Sequence, residues 1–89
     1  MKFEREASED VIKRLRRVEG QVAGVIRMLE QHRDCADIVT QLSAAGHALD
    51  RAGFKLLATG MRQCVLPAVE GGEPPMRLDE MERLFLSLS

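Results

Sequence analysis

Residues 34–64 read DCADIVTQLSAAGHALDRAGFKLLATGMRQC. The stretch has no proline, and Ile38, Leu42, Ala45, Leu49, Ala52 and Leu56 repeat at a heptad-like spacing. That pattern predicts one long helix. The two cysteines of the chain, Cys35 and Cys64, stand at its ends. The 29 steps between them span roughly 43 Å at the helical rise. A disulfide needs Cα atoms within about 7 Å, so two sulfurs on one unbroken helix cannot meet. They can act together only between two chains whose helices run antiparallel. The centre of such a pairing falls between Leu49 and Asp50, and each dimer then carries two equivalent Cys35–Cys64 sites. The plainer alternative is that both are small buried apolar residues.

Working outward, a first helix is expected over 8–32. Ser8 is a good N-cap, and Glu9 and Asp10 suit the positive helix end. Val11, Leu15, Val18, Val22, Ile26 and Leu29 make one apolar stripe. A short break precedes the second helix, expected over 34–65, with Asp34 as its cap and Pro67 at or just beyond its end. EGGEPP at 70–75 is a turn or loop. A third helix, over 75–88, puts Leu78, Met81, Leu84, Phe85 and Leu88 on one face. The chain therefore reads as all-α, a single three-helix domain over 1–89. Gly46, Gly53 and Gly60 recur every seven residues and suggest a tight seam against another helix. Two hairpins of this kind would form an antiparallel four-helix bundle.

A chain of 89 residues buries little surface by itself, which favours oligomers. No apolar run is long enough for a membrane span. The charged start, MKFEREASED, does not read as a signal peptide, so a cytoplasmic location is expected. Thiols stay reduced there, which favours a reactive or metal-binding pair over a standing disulfide. The net charge of −1 hides segregation: −2 over 1–10, +4 over 11–64 and −3 over 65–89. A basic middle points to a polyanion partner.

Arg14-Leu15-Arg16-Arg17-Val18-Glu19-Gly20-Gln21, Gly24-Val25-Ile26-Arg27-Met28-Leu29-Glu30, Asp34-Cys35, Asp37-Ile38-Val39-Thr40-Gln41-Leu42-Ser43-Ala44, Ala48-Leu49-Asp50-Arg51-Ala52 and Cys64 together resemble the CsoR/RcnR family of bacterial repressors. The resemblance covers roughly residues 11–66. It implies a four-helix dimer, a disc-shaped tetramer, and binding to double-stranded operator DNA that ends when the cysteine site is modified or occupied. Copper-sensing members resemble Cys followed by His-x-x-x-Cys. Here that run is Gly60-Met61-Arg62-Gln63-Cys64, so the histidine is replaced by a residue with no side chain. Two cysteines without the histidine look most like the persulfide-sensing CstR branch.

On that reading the ligand is a persulfide or polysulfide, and no cofactor or metal is expected. Cys35, in the first turn of its helix where the dipole favours an anionic sulfur, is the attacking thiol. Cys64 of the other protomer resolves the persulfide into a di-, tri- or tetrasulfide. The alternative is Cu(I) held by the same Cys35 and Cys64, two soft donors. His32 reads as a solvated helix-end residue and His47 as an exposed or interface residue. Met28, Met61, Met76 and Met81 read as core or seam. Glu80 lies where the resemblance places a supporting glutamate. Lys13, Arg14, Arg16, Arg17, Arg51 and Lys55 form the expected DNA surface, and Arg14 and Arg51 carry the resemblance there. With no Trp or Tyr beside them, duplex backbone contact fits better than base stacking. An enzyme would need a base, an oriented nucleophile and a pocket, which two cysteines and two distant histidines do not supply. A plain structural dimer leaves the basic stripe unexplained.

Overall fold

The structure is a computed structural model that describes residues 2–88. They form three helices: α1 (Arg5–Glu30), α2 (Cys35–Val69) and α3 (Leu78–Leu88). The molecule measures 58 × 24 × 14 Å. Its length is close to the roughly 52 Å that a helix the size of α2 spans by itself. α1 folds back along α2, and α3 packs on α2 alone.

The buried residues of α1 are Val11, Val18 and Val25; on α2, Ala45, Ala52 and Thr59 are buried. Both sets step by seven. The small α2 residues allow the branched valines of α1 to approach closely. The rest of the α1 stripe is not used inside the protomer. Leu15, Val22, Ile26 and Leu29 stay exposed, as do Leu42 and Leu49 of α2.

The helix ends differ from the sequence reading, each for a physical reason. α1 starts at Arg5, and Ser8 is not its cap. Glu4 occupies the cap position without a side-chain cap bond. Gln63 of α2 takes over that role. Its Oε1 accepts from the Glu4 N–H at 3.1 Å, and its Nε2 donates to the Lys2 carbonyl at 3.0 Å. A tertiary contact thus satisfies a helix-start donor that local capping would otherwise serve. α1 ends at Glu30 rather than 32. His32 has φ +53°, and the Arg33 N–H donates to the Met28 carbonyl at 3.0 Å. This six-to-one closure is a Schellman turn, with histidine where glycine is usual.

Asp34 caps α2: its Oδ2 accepts from the Ala36 N–H at 3.1 Å. Pro67 does not end α2, which runs on to Val69. Proline removes one donor, but its fixed φ is helical. The end is closed further on. The Gly72 N–H donates to the Pro67 carbonyl at 2.8 Å, with Gly71 at φ +88°. α3 begins at Leu78, three residues later than expected, because the Arg77 carbonyl accepts its first bonds, from the Glu80 and Met81 N–H groups.

The glycine face of α2 is also corrected. A Cβ built on Gly53 would lie 3.4 Å from Leu88 Cδ2, and one built on Gly60 would lie 3.0 Å from Met81 Cε and 3.3 Å from Phe3 Cε1. Gly46 has nothing within 4 Å. Two of the three glycines therefore receive side chains of α3 and the N-terminal arm, not another helix backbone. Met81 and Leu88 are themselves seven residues apart and match Gly60 and Gly53 in reverse order.

Candidate functional site

Cys35 is the first residue of α2 and is exposed; Cys64 is near the other end and is 0 % exposed. α2 is unbroken between them. The protomer therefore holds its two thiols apart, at opposite ends of one rod. Among the described residues, no three or more His, Cys, Asp or Glu side chains gather as a metal site. A shared site thus needs Cys35 from a second protomer. His32 and His47 are exposed, and the backbone of His32 forms part of the turn that ends α1.

Cys64 sits among sulfur and apolar groups. It forms one buried cluster with Leu57 and Met81, with Met76 packed against it. Gly60, one turn before Cys64, is buried under Met81 and Phe3. Gln63, next to Cys64 in sequence, holds the backbone of the N-terminal arm. The donor chemistry at this end is soft: a thiol with thioethers beside it suits Cu(I) and not a hard cation. Glu80 is exposed.

The structure brings two of the six expected DNA-binding cations together. Arg14 Nε lies 3.3 Å from Asp10 Oδ2, and Lys55 Nζ lies 3.3 Å from the same oxygen. Hydrogen bonds from Arg14 and Lys55 hold the Asp10 carboxyl below its ordinary pKa. Lys13, Arg16, Arg17 and Arg51 are exposed, and Arg51 stands one turn before Lys55 on α2. Asp10 was legible only as a helix-start acid. Nothing in the sequence marks it as the link between two cations on different helices.

Residues 7–87 match the family described as metal-sensitive transcriptional repressor. The copper-sensing transcriptional repressor RicR of Mycobacterium tuberculosis is 46% identical over 66 residues, covering 74% of this chain and 69% of RicR. The copper-sensing transcriptional repressor CsoR of Bacillus subtilis is 34% identical over 77 residues, covering 86% of this chain and 76% of that protein. The crystal structure of the copper-sensing repressor CsoR with Cu(I) from Geobacillus thermodenitrificans superposes with a TM-score of 0.81 at 37% identity, covering 98% of this chain and 91% of that one. These relatives overturn the expectation of a cysteine site without a cofactor: they are copper-sensing, and one was solved with Cu(I).

Proposed function

This chain belongs to the family of metal-sensitive transcriptional repressors, and on that premise we propose that it is a cytoplasmic, Cu(I)-responsive repressor. Members of the family are transcriptional regulators and not enzymes; they bind operator DNA and are oligomeric. Among the described residues, no helix is long and apolar enough to cross a membrane. The observation that carries the proposal is the placement of Cys35 and Cys64 at opposite ends of the unbroken α2. In an antiparallel dimer, Cys35 of one protomer comes beside Cys64 of the other. The apolar surface left exposed on α1 and α2, including Ile26, Leu42 and Leu49, supports that pairing, because burying it removes large side chains from water. Exposed apolar residues that the dimer leaves uncovered can extend the assembly to a tetramer.

Cu(I) supplies a soft, low-coordinate centre that two thiolates suit. Cys35 and Cys64 each give up a proton when they ligate, so affinity falls as pH falls. Joining the two ends of the α2 pair fixes the tilt between the helices. Lys13, Arg14, Arg16 and Arg17 on α1, and Arg51 and Lys55 on α2, contact the phosphates of duplex DNA. A change of tilt alters their relative spacing and weakens DNA binding. A coupling of roughly 1–3 kcal/mol gives a several-fold to hundred-fold release.

The test is anaerobic Cu(I) titration of the protein bound to a duplex selected from a random pool, followed by fluorescence anisotropy. Release by about one Cu(I) per protomer is the expected result, and Cys35→Ser and Cys64→Ser should bind DNA but not respond. Unchanged DNA affinity on Cu(I) addition would end the proposal.

One observation favours a second reading. Gly60 offers no nitrogen ligand one turn before Cys64. On that reading the Cys35 thiolate takes a sulfane sulfur from a polysulfide, which leaves shortened by one sulfur. Cys64 of the partner protomer then displaces hydrosulfide from the Cys35 persulfide, leaving an interchain disulfide. Mass spectrometry of the polysulfide-treated protein separates the two readings: a reductant-sensitive dimer that no longer binds DNA supports this one.

A further inference from the structure

We propose that the thioether of Met81 is a third sulfur donor to the Cys64 site, filling the ligand position that Gly60 leaves without a side chain. This inference rests on the copper reading above. Gly60 and Cys64 are four residues apart and therefore share one face of α2. The space that a Gly60 side chain would enter is held by the end of Met81. A Cβ there would lie 3.0 Å from Met81 Cε and 3.6 Å from Met81 Sδ. On the same face, Cys64 and Met81 belong to one buried cluster. The glycine is what admits the methionine, so the loss of one side chain and the arrival of a soft sulfur are a single structural event.

The chemistry balances. Each of the two cysteine thiols loses one proton to solvent, and Cu(I) keeps its oxidation state. The thioether is neutral and loses no proton, so it completes the donor set without changing the net charge of −1 on a bis-thiolate Cu(I) centre. Thioether sulfur suits Cu(I) by softness. Met81 is also held at the right end of its helix. Its N–H donates to the Arg77 carbonyl at 3.1 Å, and the Arg77 guanidinium grips Asp79 through Nε–Oδ1 at 3.1 Å and Nη2–Oδ2 at 2.9 Å. Beyond that anchored backbone the side chain has three rotatable bonds, enough to turn its sulfur toward Cys64. Met81 is among the residues that line two grooves, of about 330 and 280 Å³.

The experiment uses the full chain, loaded with Cu(I) under nitrogen. It measures copper K-edge X-ray absorption and affinity by competition with a chromogenic Cu(I) chelator. The unsubstituted protein should show three sulfur scatterers. Met81→Leu, which keeps an apolar side chain of similar volume, should show two and bind Cu(I) at least about tenfold more weakly, as loss of one partner at a metal site commonly does. Met76→Leu should match the parent. If Met81→Leu fails to fold by circular dichroism, selenomethionine-labelled protein carrying Met28→Leu, Met61→Leu and Met76→Leu, in which Met81 is the one methionine left besides Met1, decides instead: copper–selenium scattering is expected, and its absence overturns the proposal. Two sulfurs in the parent protein, or an unchanged Met81→Leu, overturns the proposal and leaves copper sensing standing. A parent protein that binds no Cu(I) overturns both.

Discussion

Lys55 of α2 reaches across the helical hairpin to Asp10 of α1, its Nζ 3.3 Å from Oδ2. Arg14 takes the same oxygen. Two cations proposed for DNA are thus held together by one carboxylate. Replacing Asp10 with Asn should free both. We expect Asp10→Asn to bind duplex DNA several-fold more tightly at low salt, with a steeper dependence of affinity on salt. Fluorescence anisotropy across a salt series measures both. Asp10 has a lowered pKa, so its ion pairs are intact above the ordinary carboxylate range and are lost as pH falls through the lowered value. Unchanged affinity at every salt concentration would show that Arg14 and Lys55 do not face DNA.

Gln63 is the second target. It makes two hydrogen bonds to the backbone of the N-terminal arm. Gln63→Ala should lower stability by about 1 kcal/mol, the usual net worth of such bonds. Amide exchange should speed up in the first turn of α1 and not in its middle. Chemical denaturation and exchange mass spectrometry give the two readouts.

His32 carries a positive φ that glycine adopts without strain. His32→Gly should raise stability by about 1 kcal/mol and leave Cu(I) affinity unchanged. A fall in Cu(I) affinity would make His32 a ligand.

Leu49 lies midway between the two cysteines and is 51% exposed in the protomer. Leu49→Glu should shift the protein toward monomer in sedimentation velocity and abolish the Cu(I) response, because the shared site needs both chains. A charged side chain at a buried dimer centre is expected to disfavour association strongly. An unchanged dimer would move the interface elsewhere.

The three helices were legible because each carries a sustained apolar period. The separation of Cys35 from Cys64 was legible too, since helical rise simply accumulates along an unbroken stretch. The helix ends were not. Ser8 looks like a cap in isolation, yet Gln63, 55 residues later, settles where α1 begins. Pro67 looks like a stop, yet the turn that closes α2 lies at Gly71 and Gly72. The spacing of Gly53 and Gly60 announces a close neighbour without saying which. That the neighbours are Leu88 and Met81 depends on α3 folding back after residues 70–77. Cu(I) was legible only as the alternative occupant of Cys35 and Cys64, because Gly60 reads as a missing ligand, and the copper-sensing relatives favour it. That Met81, 21 residues further on, lies against Gly60 was not legible, since it depends on the same fold-back of α3.

The paired seven-residue steps of Gly53 to Gly60 and Met81 to Leu88 constrain how this chain can change over generations. Point substitutions there alter a contact. Inserting or deleting one residue between Gly53 and Gly60 rotates one half of α2 by about 100° relative to the other. No repositioning of α3 can then satisfy both glycines. Lineages can therefore drift in residue identity along this stretch but not in its length. Length variation should collect instead in residues 70–77, where the chain already turns.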